Sequence, residues 1–151
     1  MEYILYANID STISRIGERV LQILKGDNVF GEVSGINIDS NEINCCCDIF
    51  NLFIYNSSDS IQYIADESKL SLNIGFYMDL NTQCENVVAK AIYFVGRIMK
   101  EFSGNIVLMQ NGDTPIVIRS GKDVAVDRSK VPDFYPFEML AINYDISKFD
   151  F

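Results

Sequence analysis

"TQCENVVAKAIYFVGRIMKEFSGNIVLMQNGDTPIVIRSGKDVAV", residues 82–126, changes its hydrophobic period halfway along, and that change decides the class of fold. Val87, Val88, Ala91, Ile92, Val95, Ile98, Met99 and Phe102 recur at helical spacing and make one broad apolar face. Thr82 and Glu85 have the spacing of a capping box, which predicts a helix starting there, and Ser103-Gly104 is a stop signal. Beyond it the period falls to two. "NIVLMQ", "TPIVIR" and "KDVAV" are separated by Asn111-Gly112 and Ser120-Gly121, the composition of a three-stranded meander with glycine turns. Pro115 is expected near a strand end or on an edge, where its missing donor costs least.

Upstream, Leu70, Leu72, Ile74, Phe76, Met78 and Leu80 alternate with Ser71, Asn73, Gly75, Tyr77 and Asp79, the pattern of a strand of firm register. "EINCCCDIFNLFIY", residues 42–55, alternates as far as Ile49 and then turns apolar on both faces. It reads as a strand that is either shifted by a bulge or runs into a covered sheet. Asn56 to Ser60 reads as a turn or loop, and Asp27 to Asn41 as turns around a short strand near Ile36 to Ile38. Residues 2–9 read as a strand. Asp10, Ser11 and Thr12 then offer caps to a helix with Ile13, Ile16, Val20, Ile23 and Leu24 on one face, ending at Lys25-Gly26. The order strand, helix, strands, helix, three-stranded meander predicts a single α+β domain over residues 1–151. Its sheet is mostly antiparallel, with two main helices packed on one face. The last twenty residues carry six aromatics and two prolines and are expected to pack over the core or to offer an interaction surface.

Apolar residues make up 48% and charged residues 22%, as in ordinary globular chains. The first residues lack the pattern of a signal peptide, and no window reaches the uninterrupted apolar length of a membrane span, so a cytoplasmic protein without membrane contact is expected. Cys45, Cys46 and Cys47 on a strand send at most two thiols to one side. The chain has no histidine and one further cysteine, Cys84, so a zinc site lacks ligands and a nucleophile lacks its usual base. The thiols read as core filling. No phosphate-binding glycine motif is present, and Lys and Arg are too few to form a nucleic-acid surface. No cofactor, metal, catalytic residue or nucleic-acid partner is expected, and the protein is read as no enzyme.

The charge is unevenly placed. The net charge is -9, and the stretch between Lys25 and Lys69 contains eight carboxylates and no base. Acidity so concentrated repels nucleic acid and anionic lipid and attracts a basic partner.

"FVGRIMKEFSGNIVLMQNGDTPIVIRSGKDVAV", Phe94 to Val126, resembles immunity proteins of bacterial polymorphic-toxin and contact-dependent growth inhibition systems. In that pattern a long helix ends in Gly-Asp, a strand enters an Asn-Gly-Glu turn, and a strand ending in Arg precedes a glycine turn. Gly104-Asn105, Asn111-Gly112-Asp113, and Arg119 before Gly121 stand at these places here. The strand and helix of Tyr3 to Leu24 and the chain length also fit, and Phe134 to Phe137 loosely match an aromatic-rich ending. The resemblance implies a cytosolic antitoxin that binds the C-terminal domain of one cognate toxin and blocks it without chemistry; a monomer or weak homodimer is expected. A toxin that cleaves nucleic acid needs a basic cleft, which an acidic surface would occupy. The partner-facing residues expected are Asp39, Glu42, Asp59, Asp66 and Glu67, with Tyr55 or Tyr63 as an anchor. The alternative is an acidic adaptor or self-associating subunit without enzymatic activity.

Overall fold

A computed structural model describes residues 1–151. In chain order the elements are β1 (Glu2–Ala7), α1 (Ile13–Lys25), β2 (Ser34–Ile38), β3 (Glu42–Cys46), β4 (Phe50–Tyr55), α2 (Asp59–Ser68), β5 (Ile74–Leu80), α3 (Val87–Glu101), β6 (Ile106–Gln110), β7 (Thr114–Ser120), β8 (Asp123–Val126) and β9 (Asp145–Ile146). The nine strands form one sheet in the order β2-β3-β4-β5-β1-β6-β7-β8-β9. Every pairing is antiparallel except β8 with β9. The fold is α+β, as expected.

β1 takes the centre of the sheet because it can bury both faces. Tyr3, Leu5 and Ala7 join the main core, and Tyr6 belongs to a second apolar cluster on the other side. The main core lies under α1 and α3. In α1, Ile13, Ile16, Val20, Ile23 and Leu24 are buried, the Thr12 hydroxyl accepts from the Arg15 N–H at 3.3 Å, and the Gly26 N–H donates to the Gln22 carbonyl at 2.9 Å. The helix therefore begins and ends where its cap residues indicate.

α3 starts later than its sequence indicates. The Thr82–Glu85 capping box does not form, and the helix begins at Val87 after Asn86 in the left-handed conformation, φ 57°. Asn81 is the reason. Its N–H donates to Ile49 C=O at 2.8 Å and its side-chain amide to Asp48 C=O at 3.1 Å, while its side-chain oxygen accepts from the Gln83 N–H at 3.2 Å. Residues 82–86 are thereby held as turns against the loop between β3 and β4.

Two further expectations are corrected. Residues 42–55 are not one strand but the hairpin β3–β4, closed by the Cys47 N–H donating to Phe50 C=O at 3.0 Å. Ile49 and Phe50 are both fully buried at its tight end, which is why the alternation breaks there. Cys45 points into the core, whereas Cys46 lies on the opposite face and Cys47 is half-buried at the turn. There is also a third helix, α2, where a loop was expected to begin. The Ser58 hydroxyl accepts from the Ser60 N–H at 3.1 Å and caps it. Only Ile61 and Ile64 of this short helix are buried, a pattern too brief to stand out in the sequence. They pack on Tyr6, Val107 and Met109, so helices lie on both faces of the sheet and not on one.

The meander β6–β7–β8 forms as read, and Pro115 occupies the second position of β7, beside a register shift. Arg119, the arginine of the resemblance, has a structural task. Its side chain is buried and donates to the carbonyls of Met99 at 2.6 Å, Gly104 at 2.8 Å and Phe102, so it closes the end of α3 and ties the meander to it. Burial without a carboxylate pushes its pKa down. The C-terminal segment packs over the core through Tyr135, Phe137 and Leu140. A side chain at Gly96 of α3 would run into the Leu140 backbone, so glycine is what permits this close approach. Asp127, fully buried, accepts from the Ser129 N–H at 3.0 Å, the Ser129 hydroxyl at 2.5 Å and the Phe149 N–H at 2.9 Å, which pins the tail.

Candidate functional site

β3–β5 are covered by α1 and α3 on one side, and on the other only the Tyr6 and Tyr55 end is packed against α2. The ladder registers arrange the open side in three rows. Glu42, Tyr55, Gly75 and Tyr6 form one; Asn44, Phe53, Tyr77 and Ile4 the next; Cys46, Asn51, Asp79 and Glu2 the third. Neighbouring side chains of one row stand close enough to touch. Gly75 is what lets the middle of the first row lie flat, because a Cβ there would meet the Tyr55 ring. Phe53 and Tyr55 lean together with ring centroids 5.6 Å apart, and the Tyr77 hydroxyl donates to the Glu2 carboxylate.

Two hollows of about 390 and 490 Å³ lie on this face and share Phe53 and Tyr77 as floor. The first is lined also by Asn41, Glu42, Tyr55, Ser57 and Ser58, the second by Asn44, Cys46, Asn51 and Asp79. α2 follows directly from Ser58 and stands beside them as a ridge. On its other flank a hollow of about 240 Å³ is lined by Tyr6, Tyr63, Glu67, Met109, Asp113 and Phe151. From residue 26 to residue 89 the sole base is Lys69, against ten carboxylates.

The phenols of Tyr55 and Tyr77 and the thiols of Cys45 and Cys47 are held in their neutral forms. The Tyr77 hydroxyl is pushed up to about 12 by its bond to Glu2, then by burial and the nearby carboxylates, and burial first, then the Tyr6 phenol, pushes Tyr55 up to about 12. Both phenols are neutral at physiological pH and act as donors and apolar plates. Burial pushes the Cys45 thiol up to about 12 and raises Cys47 as well, the reverse of what a nucleophile requires.

The residues expected from the sequence fall in three places. Asp59, Tyr63, Asp66 and Glu67 share the exposed stripe of α2, at helical spacings of four, three and one, and Tyr63 is 62% exposed. Asp66 accepts from the Gln62 amide at 2.8 Å. Glu42 lies half-buried in the hollow beside the start of α2. Asp39 stands apart at the turn between β2 and β3, where its carboxylate accepts from the N–H groups of Asn41 at 2.8 Å and Glu42 at 2.9 Å. Asp27, from the same acidic stretch, is turned toward α3, where it accepts from the Tyr93 hydroxyl at 2.5 Å and pairs with Arg97 at 2.9 Å. The Tyr93 and Val29 hydrogen bonds lead the effects that hold its pKa down.

Phe53, Tyr77, Asn44, Asn51 and Asp79 were missed by sequence reasoning that followed charge. The signal for Tyr77 and Asp79 was the second phase of the β5 alternation, which is aromatic and acidic where a solvated face is ordinarily small and polar.

A family model described as SitI3-like matches residues 1–135. The chain belongs to the SitI3-like family. SitI members are immunity proteins of toxin systems. In this SitI3-like chain the match takes in every residue of the three rows and all of α2, together with Arg119 and its helix partners. Neither a curated protein nor a solved structure matches the SitI3-like chain. None of its helices is long and apolar enough to cross a membrane.

Proposed function

We propose that the protein is an immunity protein that neutralises one cognate toxin domain of a polymorphic-toxin or contact-dependent growth inhibition system by stoichiometric binding in the cytoplasm, without catalysis. The observation that carries this reading is the open face of β3–β5. An aromatic floor of Phe53, Tyr55 and Tyr77, each half-buried, with Glu2, Glu42 and Asp79 around it, lines two hollows beside a ridge bearing Asp59, Asp66 and Glu67. Family membership supports the immunity role.

A basic nuclease domain is the toxin that such a surface suits. Its phosphate-binding cleft presents the cations that these carboxylates lack, and an acidic protein seated there excludes the substrate. In this arrangement Asp39, Glu42, Asp59, Asp66 and Glu67 steer association, and Tyr63, with Phe53, Tyr55 and Tyr77, supplies apolar anchors.

The test is co-purification with the C-terminal domain of the protein encoded next to this chain's gene, followed by titration at low and high salt. Tight one-to-one binding that weakens on the order of tenfold or more in high salt is expected. Tight binding indifferent to salt removes the electrostatic part of the proposal, and absence of binding removes the immunity role.

A further inference from the structure

The two edges of the sheet are unlike. One is closed by β9, two residues long, whereas the other is β2, whose five residues Ser34–Ile38 are all exposed. β2 has the sequence "SGINI", with neither proline nor a charged side chain, the two devices that commonly blunt an edge. A register shift between Ser34 and Asn37 distorts its first half. The second half is regular: Asn37 pairs with Asn44 and Ile38 with Ile43, and the Asp39 N–H donates to Glu42 C=O at 3.1 Å. Backbone groups of alternate residues point to opposite edges, so with Asp39 bonded inward, Ile38 turns its N–H and C=O outward. Ile36 and Ile38 are each 40% exposed, two of few large apolar side chains left in water.

Charge decides what can pair there. Exposed carboxylates stand at both ends of the edge, Glu32 before β2 and Asp39 after it, and Asp39 is fixed in place by its bonds to the Asn41 and Glu42 N–H groups. A second copy laid antiparallel along β2 and centred on Ile36 would bring Glu32 of each chain beside Asp39 of the other, like charge against like. A strand with Lys or Arg flanking apolar residues meets the opposite situation, with attraction at both ends and Ile36 and Ile38 between.

We propose that β2 takes up an extended, basic segment of the partner as a tenth strand, which rests on the reading that the partner is a toxin domain. The main-chain pairing through Ile38 adds an anchor separate from the open face of β3–β5. Ile38→Pro tests it directly, because proline removes an N–H that points outward and leaves the β2–β3 bonds in place. Ile38→Thr keeps that N–H and serves as the control. Both are titrated with the neighbour-encoded toxin domain, and amide exchange is measured on the unaltered protein, free and bound. Expected are binding weakened on the order of tenfold or more in Ile38→Pro, near-normal binding in Ile38→Thr, and slowed exchange at Ile38 in the complex. Normal binding by Ile38→Pro, or an Ile38 amide that exchanges equally fast in the complex, overturns the strand addition and leaves the toxin reading standing. Should Ile38→Pro fail to fold, the amide exchange decides alone. Absence of binding by the unaltered protein overturns the toxin reading itself, and dimerisation that Ile38→Pro abolishes overturns the choice of partner in favour of a second copy.

Discussion

On β3–β5 the side chains facing α1 and α3 are Ile43, Cys45, Leu52, Ile54, Phe76 and Met78, none more than 3% exposed. The side chains interleaved with them are Asn44, Cys46, Asn51, Phe53, Tyr77 and Asp79, and none of these is buried. The same three strands thus carry two surfaces finished for different purposes. The first is sealed by helices, while the second keeps two aromatic rings, Phe53 and Tyr77, only half-buried. The first surface holds the fold together, and the half-buried rings of the second are the groups that the proposed toxin binding would use. Substitutions on the two faces should accordingly separate stability from binding.

The largest effect should come from the covered side. Arg119→Ala strips three carbonyls at the end of α3 of their donor, and a loss of about 3 kcal/mol or more is expected in denaturant titrations, with binding intact wherever the variant remains folded. Asp127→Asn should cost about 2 kcal/mol, because an amide cannot accept from both Ser129 and the Phe149 N–H as the carboxylate does. Asp127 also predicts a pH dependence. Burial raises its pKa, but the Ser129 and Phe149 hydrogen bonds outweigh that and hold it below the ordinary carboxylate range, as the Tyr93 bond does for Asp27. The unfolded chain therefore takes up these protons first as the pH falls. Stability from both groups is fully present above about pH 4–5 and is lost below it, and Asp127→Asn should flatten that acid limb.

On the open side the balance reverses. Phe53→Ala and Tyr77→Ala should each lower toxin affinity by about 1–2 kcal/mol in calorimetry while shifting the melting temperature by only a few degrees. A large fall in stability with unchanged affinity would place the rings in the first class of surface. Reversing Asp66 or Glu67 to Lys should have the smallest effect, a severalfold slower association that disappears at high salt, with dissociation and stability unchanged. Stopped-flow association at two ionic strengths checks it.

What was legible in the sequence follows from how local each signal is. The α1 caps and the glycine turns of the meander act within a few residues and stand in the structure as read, whereas the alternation read over Leu70 to Leu80 holds as a strand only from Ile74, because Leu70 and Leu72 turn to the cluster under α2 on the other face. The capping box at Thr82 is equally local, yet it lost to Asn81, whose bonds run to Ile49 and Asp48 more than thirty positions away. α2 escaped notice because two buried residues suffice when Tyr6, Val107 and Met109 already offer an apolar bed, and nothing nearby in the chain announces that bed. Of the candidate site, the sequence disclosed the carboxylates but not their grouping.

By itself, then, the sequence determined the α+β class, the helix-to-meander order, the lack of a nucleophile's base and the concentration of acid between residues 26 and 68. These depend on composition and short-range period. Only the tertiary structure decided that Asp27 is tied to α3 while Asp59, Asp66 and Glu67 face outward, that Glu42, Phe53, Tyr55 and Tyr77 come together, and that β2 is left as an open edge. Those outcomes depend on strand order and ladder register, which arise from contacts between residues far apart in the chain and are written in no single stretch of it.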